Sequence, residues 1–106
     1  MSMRESDIEA KLVEKIKRQG GLCLKMNSTS MKGLPDRMIL LPDGRTIFVE
    51  LKAHGKKPTE LQRHVHRKLM AMNFPVYVID SMAEVDAICN LSRTNIKKGE
   101  KKNAKS

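Results

Sequence analysis

Residues 33–52 read GLPDRMILLPDGRTIFVELK. The apolar runs PDRMILL and TIFVELK flank Pro42-Asp43-Gly44-Arg45, a turn tetrapeptide whose glycine tolerates positive φ, and together they predict an antiparallel hairpin. Asp36 starts the first strand while Glu50 and Lys52 end the second, so a tight turn brings all three to one end of a sheet. Side chains alternate along a strand, which puts Glu50 and Lys52 on one face with Phe48 and turns Val49 and Leu51 to the other.

Upstream, SDIEAKLVEKIKRQ at 6–19 carries Ile8, Leu12, Val13 and Ile16 on one stripe at helical spacing, opens with serine and aspartate as capping residues, and stops at Gly20-Gly21. GLCLKMN then reads as a short strand and NSTSMKG as a loop. Downstream, AHGKK is a polar connection, and Pro58-Thr59-Glu60 opens a helix with Leu61, Val65, Leu69 and Met72 on its apolar side, ending near Asn73. VYVI suits a buried strand, and SMAEVDAICNLS reads as a final helix capped by Ser81. The predicted order is αβββαβα. A strand, a crossover helix and a second strand predict that TIFVELK and VYVI run parallel, giving an α/β fold with a mixed four-stranded sheet flanked by helices.

The chain has 106 residues, enough for one small core. No apolar run approaches the roughly 20 residues of a bilayer-spanning helix, and the N-terminus carries charge where a secretory signal carries an apolar block, so a cytosolic location is expected. Cys23 and Cys89 lie far apart with no Cys or His at ligand spacing, which indicates neither a disulfide framework nor a zinc site. His64 and His66, two apart, fall on different sides of a helix. Twenty-one basic residues against 12 acidic ones give a formal charge of +9, which favours a polyanionic partner, nucleic acid first. Six of the basic residues, opposed only by Glu100, lie in residues 93–106, a basic tail with too little apolar surface to order itself and suited to non-specific phosphate contact. The folded domain is therefore expected to span residues 1–92.

Two carboxylates at one end of a hairpin repel each other unless a cation lies between them, and hard oxygen ligands favour Mg²⁺ or Mn²⁺. Such a cation activates water and offsets charge on an attacked phosphodiester, with the Lys52 ammonium close by. Spacing alone fits equally well an acid–lysine surface pair at a strand edge.

Gly33-Leu34-Pro35-Asp36, thirteen intervening residues, and Glu50-Leu51-Lys52 match the PD-(D/E)xK nuclease signature of restriction-endonuclease-like folds. The first helix with Glu9 ahead of Gly20-Gly21, the small polar loop before GLPD, the short hairpin, and PTELQ opening a helix resemble the virus-type replication-repair nuclease (VRR-NUC) domain over roughly residues 5–81. The resemblance implies a metal-dependent DNA endonuclease. It implies that Asp36 and Glu50 bind the metal with the Leu51 backbone carbonyl, that Lys52 is the catalytic lysine, and that Gln62 points to the site from the helix after the hairpin. It also implies an acid from the first helix at the metal site. Glu9 matches by its distance to Gly20, with Glu5 and Glu14 as alternatives.

Of the basic residues that could line a phosphate groove (Lys25, Lys32, Arg37, Lys56, Lys57, Arg63 and Arg67), Lys32, Lys56 and Lys57 occupy loops expected to flank the active end. Three aromatic residues, none of them Trp, make base stacking a minor contributor and favour duplex or branched DNA read through its backbone. Stand-alone members of the family suggest a phage or prophage-like form, four-way junctions or other branched DNA as substrate, and a homodimer. A junction resolvase of another PD-(D/E)xK branch and a non-catalytic DNA-binding or packaging protein with the same fold are the rival readings.

Overall fold

A computed structural model describes residues 4–27 and 31–92; the basic tail falls outside them. The order is α1 (Glu5–Arg18), β1 (Leu22–Lys25), β2 (Arg37–Leu40), β3 (Thr46–Leu51), α2 (Glu60–Ala71) and β4 (Val76–Ile79), followed by α3 through residues 82–92. The strands form one sheet in the order β1-β2-β3-β4. The first three are antiparallel and β4 runs parallel to β3, as a crossover through α2 requires. Among the described residues no helix is long and apolar enough to cross a membrane.

The β2–β3 connection is the expected turn. Gly44 takes φ +91 and its N–H reaches the Leu41 carbonyl at 2.9 Å. The Asp43 carboxylate accepts from the Arg45 backbone and guanidinium at 3.1 and 2.7 Å. One face of the sheet, with Ile39, Ile47, Val49, Leu51 and Ile79, packs on Ile8, Leu12 and Ile16 of α1 and on Val85, Ile88 and Cys89 of α3 to form the core. Each fully buried aliphatic side chain of this kind contributes roughly 1.5–3 kcal/mol relative to exposure. Lys15 of α1 pairs with Asp86 of α3, and the Gln19 amide donates to the Cys89 carbonyl at 3.1 Å, tying the two helices along that face. Cys89 is buried and Cys23 half-buried.

The opposite face carries α2, and here two expectations are corrected. The predicted apolar side of α2 was Leu61, Val65, Leu69 and Met72, yet Leu61 and Met72 are 48% and 59% exposed, while the helix buries Val65 and His66. The surface beneath it explains this: β3 offers Glu50 there as well as Phe48, so the helix turns a polar edge inward to meet the carboxylate. The second correction concerns α1. It begins one residue before the expected start, on Arg4 with no side-chain cap, and Ser6 and Asp7 fall inside its first turn.

Candidate active site

The β2–β3 register sets Arg37 opposite Val49, so the next pair outward, Asp36 and Glu50, face each other across the ladder. Asp36 is fixed from both sides: its Oδ2 accepts the Leu51 N–H at 2.7 Å and its carbonyl accepts the Met26 N–H at 2.8 Å. The loop that delivers it, Gly33-Leu34-Pro35, passes tightly over α2. A Cβ at Gly33 would lie 3.0 Å from the Leu61 Cγ and the Val65 Cγ2, and its φ is +88, so this approach needs glycine. Lys52 is positioned from β4 by its N–H to the Ile79 carbonyl at 2.9 Å, and its Nζ lies 3.8 Å from Glu50 Oε2.

Helix α2 closes the site from below. Thr59 caps it through a reciprocal box in which the Thr59 hydroxyl accepts the Gln62 N–H at 3.1 Å and Gln62 Oε1 accepts the Thr59 N–H at 2.9 Å. With its oxygen engaged in the cap, the Gln62 amide nitrogen is directed toward the sheet and donates to Glu50 Oε2 at 3.0 Å. One helical turn later, His66 Nε2 sits 3.3 Å from Glu50 Oε1. The capping sequence that starts the helix thus also orients a group at the site.

Glu50 is 1% exposed. Burial first, then the Asp36 charge and a hydrogen bond to Asp36 that only the protonated acid can donate, push its carboxyl up from 4.5 to about 8, against the pull of Lys52. Burial and the Lys52 charge lower His66, which keeps its imidazole neutral. From α1, Glu5 faces the same field: partial desolvation and then the Asp36 charge raise it, while Lys52 pulls it down. Glu9, one turn along the same helix face, is engaged elsewhere. Its Oε2 accepts from Arg37 Nε at 2.8 Å, and Arg37 also donates to the Cys23 carbonyl at 3.1 Å, which pins α1 to β1 and β2.

Asp36, Glu50 and the Leu51 carbonyl are oxygen donors, the chemistry that hard Mg²⁺ or Mn²⁺ selects. The part of the Glu50 shift that comes from the Asp36 charge is the kind a cation between the carboxylates relieves. Among the described residues no three Asp, Glu, His or Cys side chains form a cluster able to hold a metal ion.

The structure therefore brings Asp36, Glu50, Lys52 and Gln62 together and sets Glu9 into an ion pair. Lys32, Lys56 and Lys57 are exposed in the loops next to Gly33 and Lys52, whereas Arg37 is turned inward. His66 was missed from the sequence, although its spacing of four from Gln62 places both on one helix face.

No protein-family model matches the chain. Over 79 residues it is 44% identical to "Putative nuclease p44" of Acyrthosiphon pisum secondary endosymbiont phage 1, an alignment spanning 74% of this chain and 85% of the phage protein. A solved structure described as "VRR_NUC domain" superposes with a TM-score of 0.76 at 29% identity, over 81% of this chain and 94% of that one.

Proposed function

This chain belongs to the VRR-NUC family of nucleases, and we propose that it is a divalent-metal-dependent endodeoxyribonuclease that hydrolyses phosphodiester bonds at the Asp36–Glu50–Lys52 site. The observation that carries the reading is the facing pair of half-buried Asp36 and buried Glu50 beside Lys52, with Glu50 held from α2 by Gln62. Asp36, Glu50 and the Leu51 carbonyl would hold Mg²⁺ or Mn²⁺. Bound there, the ion supplies Lewis acidity to the phosphate and lowers the pKa of water.

The chain's own residues do the rest. The Leu51 N–H fixes Asp36, and Gln62 fixes the rotamer of Glu50. Lys52, whose side chain is 17% exposed, has its ammonium at the mouth of the site, where it stabilises charge developing on the scissile phosphate. Glu5 is the α1 acid that faces the site in place of Glu9, which serves Arg37. Exposed Lys32, Lys56 and Lys57 contact flanking phosphates and position the duplex without reading its bases.

Branched DNA, four-way junctions among it, is the substrate class proposed here, acted on by a homodimer whose two sites address two strands. Exposed apolar side chains on and beside the outer strand β4, Phe74, Val78 and Leu91 at 37%, 37% and 40%, support a self-association surface. Cleavage of labelled linear duplex, flap and four-way-junction DNA in Mg²⁺, Mn²⁺ or EDTA tests the reading. Metal-dependent cutting, strongest on the junction, is expected. Salt-sensitive DNA binding with no cutting of any substrate would assign the chain to non-catalytic DNA binding instead.

A further inference from the structure

The Glu50 carboxylate has a second partner on α2 that the nuclease reading does not use. His66 is 5% exposed, and its Nε2 lies 3.3 Å from Glu50 Oε1, while Gln62 Nε2 lies 3.0 Å from Oε2. With its proton on Nε2, a neutral imidazole donates to Oε1 as the Gln62 amide donates to Oε2, and these are the donors a metal-bound, ionised carboxylate accepts. Burying an imidazole has a desolvation cost that an apolar residue at this position avoids. Its neighbour Val65, also buried, shows that the helix accepts an aliphatic side chain one position away.

The two donors reach the two oxygens of one carboxylate from positions four apart, which fixes the plane of the carboxylate as well as its place. A single donor leaves the group free to rotate about its last bond. Helix α2 can hold both donors in register because Gln62 is locked by the capping box and His66 follows one turn later on the same face.

We propose that His66 is a positioning residue for the nuclease site: with Gln62 it clamps Glu50 so that the carboxylate faces Asp36 in the orientation a divalent cation needs. The inference rests on the reading of Glu50 as a metal ligand. It specifies a class of effect, since removing a hydrogen-bond partner behind a ligand weakens metal binding while leaving the DNA-binding lysines, which lie on other loops, intact.

The test compares His66→Asn with His66→Gln in the full chain. The Gln amide nitrogen takes the place of Nε2 and reaches Glu50, whereas the shorter Asn mimics only Nδ1. The readouts are Mn²⁺ binding to the metal-free protein by calorimetry and the split between KM for DNA and kcat. His66→Asn is expected to weaken Mn²⁺ binding and lower kcat by roughly 10- to 100-fold with KM for DNA unchanged, and His66→Gln to restore most of both. Thermal melts of the metal-free variants check folding, and His66→Leu, which fills the space without a donor, replaces the Asn variant if that one fails to fold. Wild-type Mn²⁺ affinity in His66→Asn, or equal losses in the Asn and Gln variants, overturns the clamp. A wild-type protein that neither binds Mn²⁺ nor cuts DNA overturns the metal reading of Glu50 and the clamp with it, and is distinguished from the former results by the wild-type measurement alone.

Discussion

Glu50→Gln should stabilise the metal-free protein at alkaline pH and abolish its response to Mg²⁺. In the native chain the Glu50 carboxyl is raised from 4.5 to about 8 by burial and by Asp36. The folded state therefore holds a proton that the unfolded chain releases, and stability falls as pH rises from about 4.5 to about 8, with a limiting slope of about 1.4 kcal/mol per pH unit. Integrated, the loss reaches at most roughly 5 kcal/mol, and reorientation of the Lys52 ammonium toward the ionised group recovers part of it. Glutamine has the same shape, never ionises, and can donate to Asp36 while still accepting from Gln62. The expected result in EDTA is near-equal stability of the two proteins at pH 5 and an advantage of about 2 kcal/mol or more for Glu50→Gln at pH 8.5, or about 10 °C in melting midpoint for a domain of this size. Saturating Mg²⁺ at 100 times its Kd should then raise the wild type by about 2.7 kcal/mol and leave the variant unmoved. Melts across pH with and without Mg²⁺ make the comparison. Parallel pH profiles for the two proteins would refute the reasoning, because the difference between the profiles contains only Glu50 and its coupling to Asp36, Lys52 and Glu5.

Gly33→Ala should destabilise the fold by about 1–3 kcal/mol, through the positive φ and the close approach to Leu61 and Val65, and also slow cleavage by displacing Asp36; denaturant melts and single-turnover rates check both. Arg37→Met leaves the partly buried Glu9 without its partner and should cost about 2 kcal/mol by urea titration. Glu9→Ala should behave like Arg37→Met in that titration, whereas Glu5→Ala should lower the cleavage rate with little change in stability. Replacing Lys56 and Lys57 together by Ala should weaken DNA binding uniformly across sequences and reduce the slope of log K against log salt by about 1 for each phosphate that is no longer neutralised.

The hairpin was legible because three independent signals agree on it: turn chemistry at Pro42-Asp43-Gly44-Arg45, apolar runs on either side, and an alternation that turns Val49 and Leu51 inward and groups Glu50 with Lys52. The tight turn placed the acids and the lysine at one end of the sheet, alternation put Glu50 and Lys52 on one face, and the crossover rule set β4 beside β3. The inward edge of α2 was not legible. Periodicity assumes that a helix buries its apolar side, but the strand beneath α2 offers a carboxylate, so His66 and the Gln62 amide turn in and Leu61 and Met72 turn out. Nor does spacing separate Glu5 from Glu9, which share a helix face. What distinguishes them is Arg37, a residue that precedes neither in the chain and meets Glu9 only once β2 has docked on α1.

The most direct measurement is single-turnover cleavage of the best substrate in Mg²⁺ by wild type and Lys52→Ala, with DNA binding measured alongside in Ca²⁺. The account predicts binding close to wild type and a cleavage rate lowered by roughly 100-fold or more, since an ammonium that stabilises transition-state charge acts on kcat. Cleavage by Lys52→Ala at the wild-type rate would contradict it and move the chemistry away from the Asp36–Glu50–Lys52 site.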